Sequence, residues 1–169
     1  MNAVLLVTFS GEDRPGLVDE LSEVISSFAG NWEQSRMMHL STRFIGLLKI
    51  QVDASRAVEL ESALRSIVGL DMTVAHGKTK PQPVHLFELE ILGSDQPGIV
   101  KEIFGVIAQA GLNVEALTSR TEAAPDSGLP MFRAHATLGS TSAIDLTVLQ
   151  EALEAIATDI QVSVTLSSL

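Results

Sequence analysis

A short stretch that occurs twice constrains this chain more than any other feature. The first copy is Gly11-Glu12-Asp13-Arg14-Pro15-Gly16 and the second is Gly93-Ser94-Asp95-Gln96-Pro97-Gly98, each followed by two aliphatic residues. The copies lie 82 positions apart, so the 169 residues divide into two repeats rather than one continuous domain. Each copy follows an apolar run and precedes a helical pattern, which predicts a strand, a tight loop and the start of a helix.

Each residue type in this loop has a physical role that can be predicted. A proline suits the first helical turn, because that turn does not need its missing N–H. The aspartate upstream can accept hydrogen bonds from the unpaired N–H groups of the turn. The glycine after the proline leaves the backbone uncovered, so that a ligand or another chain can come close.

The apolar patterns on either side of the loops predict the element order βαββαβ in each repeat. Residues 4–9 are a continuous apolar run, which is typical of a strand buried on both faces. Helical spacing follows, and Gly30 and Gly111 are expected to end the two first helices. We therefore predict an α+β protein with domains at residues 1–77 and 84–169, joined by a polar, proline-containing linker at 78–83.

The second repeat differs from the first in its second and third strands. Asn113 lies seven positions before Arg120, whereas Asn31 lies five positions before Arg36. Two added residues keep the strand parity, so both arginines can face the same side. The hairpin is also lengthened through residues 123–130, either as a surface insertion or as an arm that reaches the neighbouring repeat.

Charge and composition exclude several classes of function. Residues 81–169 carry 11 acidic and 3 basic side chains, and such a surface repels nucleic-acid phosphates. An RNA-binding sheet would need exposed aromatic side chains, and a soft-metal site would need cysteines; the chain has no Tyr and no Cys. The chain begins without a basic signal region and has no apolar run of transmembrane length, so a cytoplasmic location is expected.

The tandem loops and the segments after the first helices resemble a known family. Residues 29–37 read Ala-Gly-Asn-Trp-Glu-Gln-Ser-Arg-Met and residues 110–115 read Ala-Gly-Leu-Asn-Val-Glu. The whole pattern resembles tandem ACT domains, and more closely the glycine cleavage system transcriptional repressor family. The resemblance implies two ferredoxin-like units with antiparallel sheets, helices on one face, and amino-acid binding.

The same resemblance implies a set of ligand-binding residues. In ACT domains the loop and helix start hold an amino acid, and a polar residue at the start of the second strand, often from a neighbouring unit, completes the site. The matching residues here are Asp13, Arg14, Pro15, Gly16 and Asn31, and Asp95, Gln96, Pro97, Gly98 and Asn113. Arg14 stands where the second loop has Gln96, so the two sites are not expected to be equivalent. The alternative is structural, with Asp and Pro capping helices and both asparagines in turns.

Three hypotheses for function remain at this stage. The first is an amino-acid sensor that controls transcription through a protein partner, without DNA contact. The second is a protein-interaction module without a ligand. The third is a small acylphosphatase-like enzyme that would use Arg14 with Asn31, although the dispersed histidines and serines predict no catalytic or metal site. No cofactor is expected.

The open sheet face of the first repeat predicts a partner. Ile45 and Leu47 would lie on it, whereas the second repeat would present Glu88, Glu90, Arg133 and His135 at the corresponding positions. An exposed apolar patch of this kind needs cover. We therefore expect a homodimer in which the first repeat's sheet is buried.

Overall fold

The computed structural model describes residues 1–77 and 83–169. Residues 1–77 lie in the first of two compact units and residues 83–169 lie in the second. All but Pro83 of the predicted linker falls outside the described residues.

Both units follow the predicted order of strands and helices. Unit 1 contains β1 (Asn2–Glu12), α1 (Leu17–Ser27), β2 (Asn31–Leu40), β3 (Arg43–Asp53), a 3-10 turn (Ala54–Arg56), α2 (Ala57–Arg65) and β4 (Leu70–His76). Unit 2 contains β5 (His85–Ser94), α3 (Ile99–Gln109), β6 (Asn113–Ala123), β7 (Pro130–Ser140), α4 (Leu146–Asp159) and β8 (Val162–Ser168).

Each unit forms one four-stranded antiparallel sheet. The strand orders are β2-β3-β1-β4 and β6-β7-β5-β8, and all adjacent strands are antiparallel. The first and third strands of each repeat are therefore central neighbours. This arrangement confirms the predicted α+β class with two ferredoxin-like units.

Period-two burial along the central strands places one hydrophobic core between each sheet and its two helices. In unit 1, alternate residues of β1 and β3 pack against residues of α1 and α2: Leu5, Val7, Phe9, Leu48, Ile50, Leu21, Ile25, Leu60 and Leu64. In unit 2 the corresponding core contains Phe87, Leu89, Ile91, Phe132, Leu138, Ile103, Ile107, Leu149 and Leu153. Full burial of one such side chain stabilises a fold by roughly 1.5–3 kcal/mol.

One detail of the predicted pattern is wrong. Strand β1 is not buried on both faces, because Leu6 is 37% exposed while Leu5 and Val7 are fully buried. Two apolar helix residues also lie outside the core, namely Val100 in α3 and Leu146 in α4, whereas Ala157 of α4 is buried.

The ends of the first helices also differ from one another. Gly111 has the left-handed φ of 77° expected after a helix, but in unit 1 Ala29 has it, with φ 55°. Gly30 is instead required by crowding, because a Cβ there would lie 2.9 Å from Cγ2 of Ile25. Among the described residues, no helix is long and apolar enough to cross a membrane.

Candidate ligand-binding loops

The first glycine of the repeated stretch has a packing role in both units. A Cβ on Gly11 would lie 2.2 Å from the carbonyl oxygen of Gly69, just before β4. A Cβ on Gly93 would lie 2.5 Å from Cγ1 and 2.8 Å from Cα of Val162, the first residue of β8. The last strand of each sheet is paired beside the first strand, and its beginning approaches this glycine so closely that a larger residue would not fit.

The last glycine of the stretch has a different role. Gly16 and Gly98 are the N-cap residues of α1 and α3, with left-handed φ values of 85° and 103°. A Cβ at either position would meet nothing within 4 Å, so backbone conformation rather than crowding favours glycine there. The prolines precede these N-caps, so the prediction that they occupy the first helical turn is wrong.

The helices that follow the loops begin without a side-chain cap. Asp13 and Asp95 do not accept hydrogen bonds from α1 or α3, contrary to the sequence prediction. By contrast, the 3-10 turn before α2 is capped by Asp53, which accepts from the backbone N–H of Ser55 at 2.9 Å. The hydroxyl and then the N–H of Ser55 hold the pKa of Asp53 below its usual value.

Helix α4 is capped in the same way as the 3-10 turn that precedes α2. Its Asp145 accepts from the backbone N–H groups of Thr147 at 3.1 Å and Val148 at 3.3 Å. Among the described helices, therefore, only α4 begins with a side-chain cap; in unit 1 the aspartate caps the 3-10 turn, and α2 itself begins after Arg56 without one. The N–H groups at the starts of α1 and α3 point away from the helix and lie beside uncovered glycine.

The side chains at the variable positions hold the two loops differently. Arg14 forms an ion pair with Glu20 in the first turns of α1. Gln96 donates instead to the carbonyl oxygen of Ile160, at the end of α4. The second loop is also joined to β7, because the backbone N–H of Asp95 donates to the carbonyl of Pro130 at 3.0 Å.

The two asparagines lie far from the loops of their own units. Asn31 is level with Val4 across β3, and Asn113 is level with Leu86 across β7. The aspartate of each loop follows nine residues later along the first strand, which corresponds to roughly 30 Å at 3.3 Å per residue. Both asparagines begin strands rather than turns.

This placement restricts which residues can share a site. Within one unit, the loop and the asparagine cannot contact the same small ligand. Asn113 donates from Nδ2 to Glu115 Oε1 at 2.6 Å, whereas Asn31 is exposed at the start of its strand. The acylphosphatase-like pairing of Arg14 with Asn31 is wrong, because these residues lie at opposite ends of one sheet.

The open face of the second sheet carries a charged cluster that sequence reasoning missed. Arg120 and Arg133 are directly opposite each other on β6 and β7, and both bind Glu122. Hydrogen bonds from Arg120 and then Arg133 hold the pKa of Glu122 below its usual range. Arg36 and Arg120 both lie on open faces as predicted, but Arg36 is opposite Leu47 instead of a second arginine. The lengthened β6–β7 hairpin was the sequence feature that could have indicated this cluster.

Comparison with known protein families agrees with the fold and with the repeated loops. Residues 3–75 and residues 87–158 each match the ACT domain. The chain therefore belongs to the ACT-domain family and carries two such domains in tandem.

Individual relatives resemble this chain along nearly its whole length. It is 24% identical to the glycine cleavage system transcriptional repressor of Escherichia coli K12, over 92% of this chain and 85% of that protein. A crystal structure of an unknown protein from Galdieria sulphuraria has a TM-score of 0.87 at 24% identity, covering 100% of this chain and 99% of the other. The structure of a provisionally assigned glycine cleavage system transcriptional repressor has a TM-score of 0.71 at 21% identity, with coverage of 100% and 98%.

Proposed function

We propose that the protein is a regulator that binds an amino acid at its junction loops and passes that signal to a protein partner. The observation that carries this proposal is the contrast between the helix starts. An aspartate caps α4 and the 3-10 turn that leads into α2, whereas α1 and α3 have no side-chain cap and have open space at Gly16 and Gly98. The family, in which such loops often bind amino acids, supports the assignment.

The chemistry of an amino acid fits these loops. Unpaired N–H groups at a helix N-terminus attract a carboxylate, and the helix dipole adds to that attraction. The oxygen of an asparagine or aspartate can accept hydrogen bonds from the ammonium group. Each proposed site combines a loop of one chain with the matching asparagine of a second copy, and its candidate residues are Asp13, Arg14, Pro15, Gly16 and Asn31, or Asp95, Gln96, Pro97, Gly98 and Asn113.

The name of the Escherichia coli relative supports a role in transcription. That protein is a transcriptional repressor of the glycine cleavage system, and similarity covers most of both chains. We extend the same kind of role to this chain, with a transcription factor as the partner that receives the signal. Ligand binding at an ACT loop would change the surface presented to that partner.

One observation favours a second candidate function, a ligand-free interaction module. The amide of Gln96 is already bound to the carbonyl of Ile160, so the second loop is held by its own unit. A loop tied in this way can serve as a structural turn. Under this alternative, only protein contacts would carry the regulation.

Asn31→Ala is expected to weaken amino-acid binding without changing the fold. A panel of amino acids is tested on the full chain by thermal shift and calorimetry. An amino acid at 100 times its Kd stabilises the protein by about 2.7 kcal/mol. Loss of one hydrogen bond to a charged ammonium costs about 1.5–3 kcal/mol, which weakens affinity roughly ten-fold or more.

The matched control for this experiment is Asn2→Ala. Asn2 is also an exposed asparagine at the start of a strand, and it lies outside the proposed site. This variant should bind as the unchanged protein does. If no amino acid in the panel raises the melting temperature, the ligand-free module replaces the sensor.

The isolated protein is expected not to bind DNA specifically. Its net charge is −10, and phosphate contacts supply much of the affinity in protein–DNA complexes. Fluorescence anisotropy with labelled promoter fragments at physiological ionic strength should give no saturable binding below about 100 µM. Tight, salt-dependent binding of one fragment by the pure protein would contradict control through a protein partner.

A homodimer is the proposed assembly. The open face of the unit 1 sheet exposes Leu6, Met38, Leu40 and Leu47, and Ile45 lies among them. The second sheet presents Glu88, Glu90, His135 and Arg133 in its centre, although Leu86 and Leu92 stand at its ends. The apolar face of unit 1 is therefore the one that most needs cover.

A further inference from the structure

The lengthened β6–β7 hairpin of unit 2 encloses a cleft that unit 1 does not reproduce in this form. In unit 1 only Ser41 and Thr42 join β2 to β3, whereas residues 124–129 join β6 to β7. The longer connection is closed by backbone hydrogen bonds from Ala124 N–H to Leu129 and from Gly128 N–H to Ala124, both at 2.8 Å. It borders a cleft of about 290 Å³ on the open sheet face.

The side chains in this cleft offer both charges and an apolar surface. Leu92, Pro125 and Met131 supply the apolar lining, while Arg133, Glu122 and Asp126 supply the charges. Arg133 donates to Glu122 from Nε at 2.8 Å, and among the described residues its two terminal nitrogens form no other hydrogen bond. Asp126 Oδ1 accepts from the N–H of Ser127 at 2.9 Å, which leaves Oδ2 available.

We propose that this cleft binds a small α-amino acid as its zwitterion. The ligand carboxylate binds the terminal nitrogens of Arg133, and the ammonium group binds Asp126 at the hairpin tip. A short aliphatic side chain packs on Leu92 and Met131. Arg133 and Asp126 give the cleft one cationic and one anionic group with atoms available to a ligand, which favours a zwitterion over a simple anion or cation.

The cleft is separate from the junction loops but physically connected to one of them. Pro130, where the hairpin returns into β7, accepts the backbone hydrogen bond from Asp95 in the β5–α3 loop. An occupant that fixes the hairpin therefore also fixes Asp95. This second site does not depend on the junction-loop site, and its binding can be measured separately.

The test is a titration of the full ¹⁵N-labelled chain with L-valine, in which binding is monitored through amide chemical shifts. The amides of residues 124–129 should shift in a saturable way. Arg133→Gln should weaken this binding roughly ten-fold or more, because a charge-assisted contact is lost. The compounds 3-methylbutanoate and 2-methylpropylamine, each lacking one charged group of valine, should bind similarly less tightly.

Arg120→Gln is the matched control. Arg120 binds the same Glu122 through Nε at 2.7 Å but does not line the cleft, so this variant should bind L-valine as the unchanged protein does. Equal weakening in the two arginine variants would overturn the proposal. It would also fail if L-valine shifted only residues 14–17 or 96–99, a result that supports the junction-loop site. Hairpin shifts alone would support the cleft even if the junction loops bind nothing.

Discussion

Gly11→Ala is expected to destabilise the protein by about 3 kcal/mol or more. Gly11 lies on β1, a central strand of the unit 1 sheet. The new Cβ would lie 2.2 Å from the carbonyl oxygen of Gly69 and 2.6 Å from Cδ2 of Leu70. Relief would require β4 to move away from β1, since the carbonyl of Gly69 cannot rotate aside alone. Thermal unfolding of the full chain should show the midpoint temperature of the unit 1 transition lowered by about 12 °C or more.

Gly105→Ala provides the opposite expectation from the same substitution. Gly105 lies within α3, and a Cβ there would meet nothing within 4 Å. Alanine in a helix interior is favoured over glycine by about 0.5–1 kcal/mol, so stability should rise slightly. If Gly11→Ala left the unfolding transition in place, the close approach of the Gly69 carbonyl to Gly11 would be incorrect.

Leu47→Asp is expected to dissociate the proposed homodimer. Leu47 is 48% exposed in the centre of the open face of unit 1, opposite Thr8 on β1 and Arg36 on β2. Burial of a leucine contributes roughly 1.5–3 kcal/mol, and a symmetric interface contains two copies. The dimer Kd should therefore rise by about 100-fold or more, as measured by analytical ultracentrifugation across a concentration series.

Glu88→Gln is the control for the dimer experiment. Glu88 occupies the repeat position of Leu6 on the other sheet, and its contact with His135 is 3.8 Å long and exposed. Exposed pairs of this kind contribute about 0–1 kcal/mol, so dimerisation should not change measurably. If the face is covered by the other ACT domain instead, Leu47→Asp should lower the melting temperature. An unchanged oligomeric state together with an unchanged melting temperature would contradict any buried-face arrangement.

The sequence by itself determined the repeat, the fold class and most of the core. The 82-residue spacing of the Gly-x-Asp-x-Pro-Gly stretches set two units, and the apolar periods set βαββαβ in each. Alternation in β3 correctly separated buried Leu48 and Ile50 from exposed Leu47. The apolar periods could be read from the sequence because strand and helix periods depend on near neighbours in the chain.

The roles of individual residues in the repeated loops could be decided only by tertiary structure. The sequence treats the first and last glycines alike, yet Gly11 is required by the backbone of Gly69, 58 positions later, and Gly16 by its own φ. The distance from Asp13 to Asn31 also depends on how strands pair in the sheet. The cleft at Arg133 exists because the β6–β7 hairpin closes around residues brought together by β5 and β7, and such long-range pairing is set by packing rather than by local pattern.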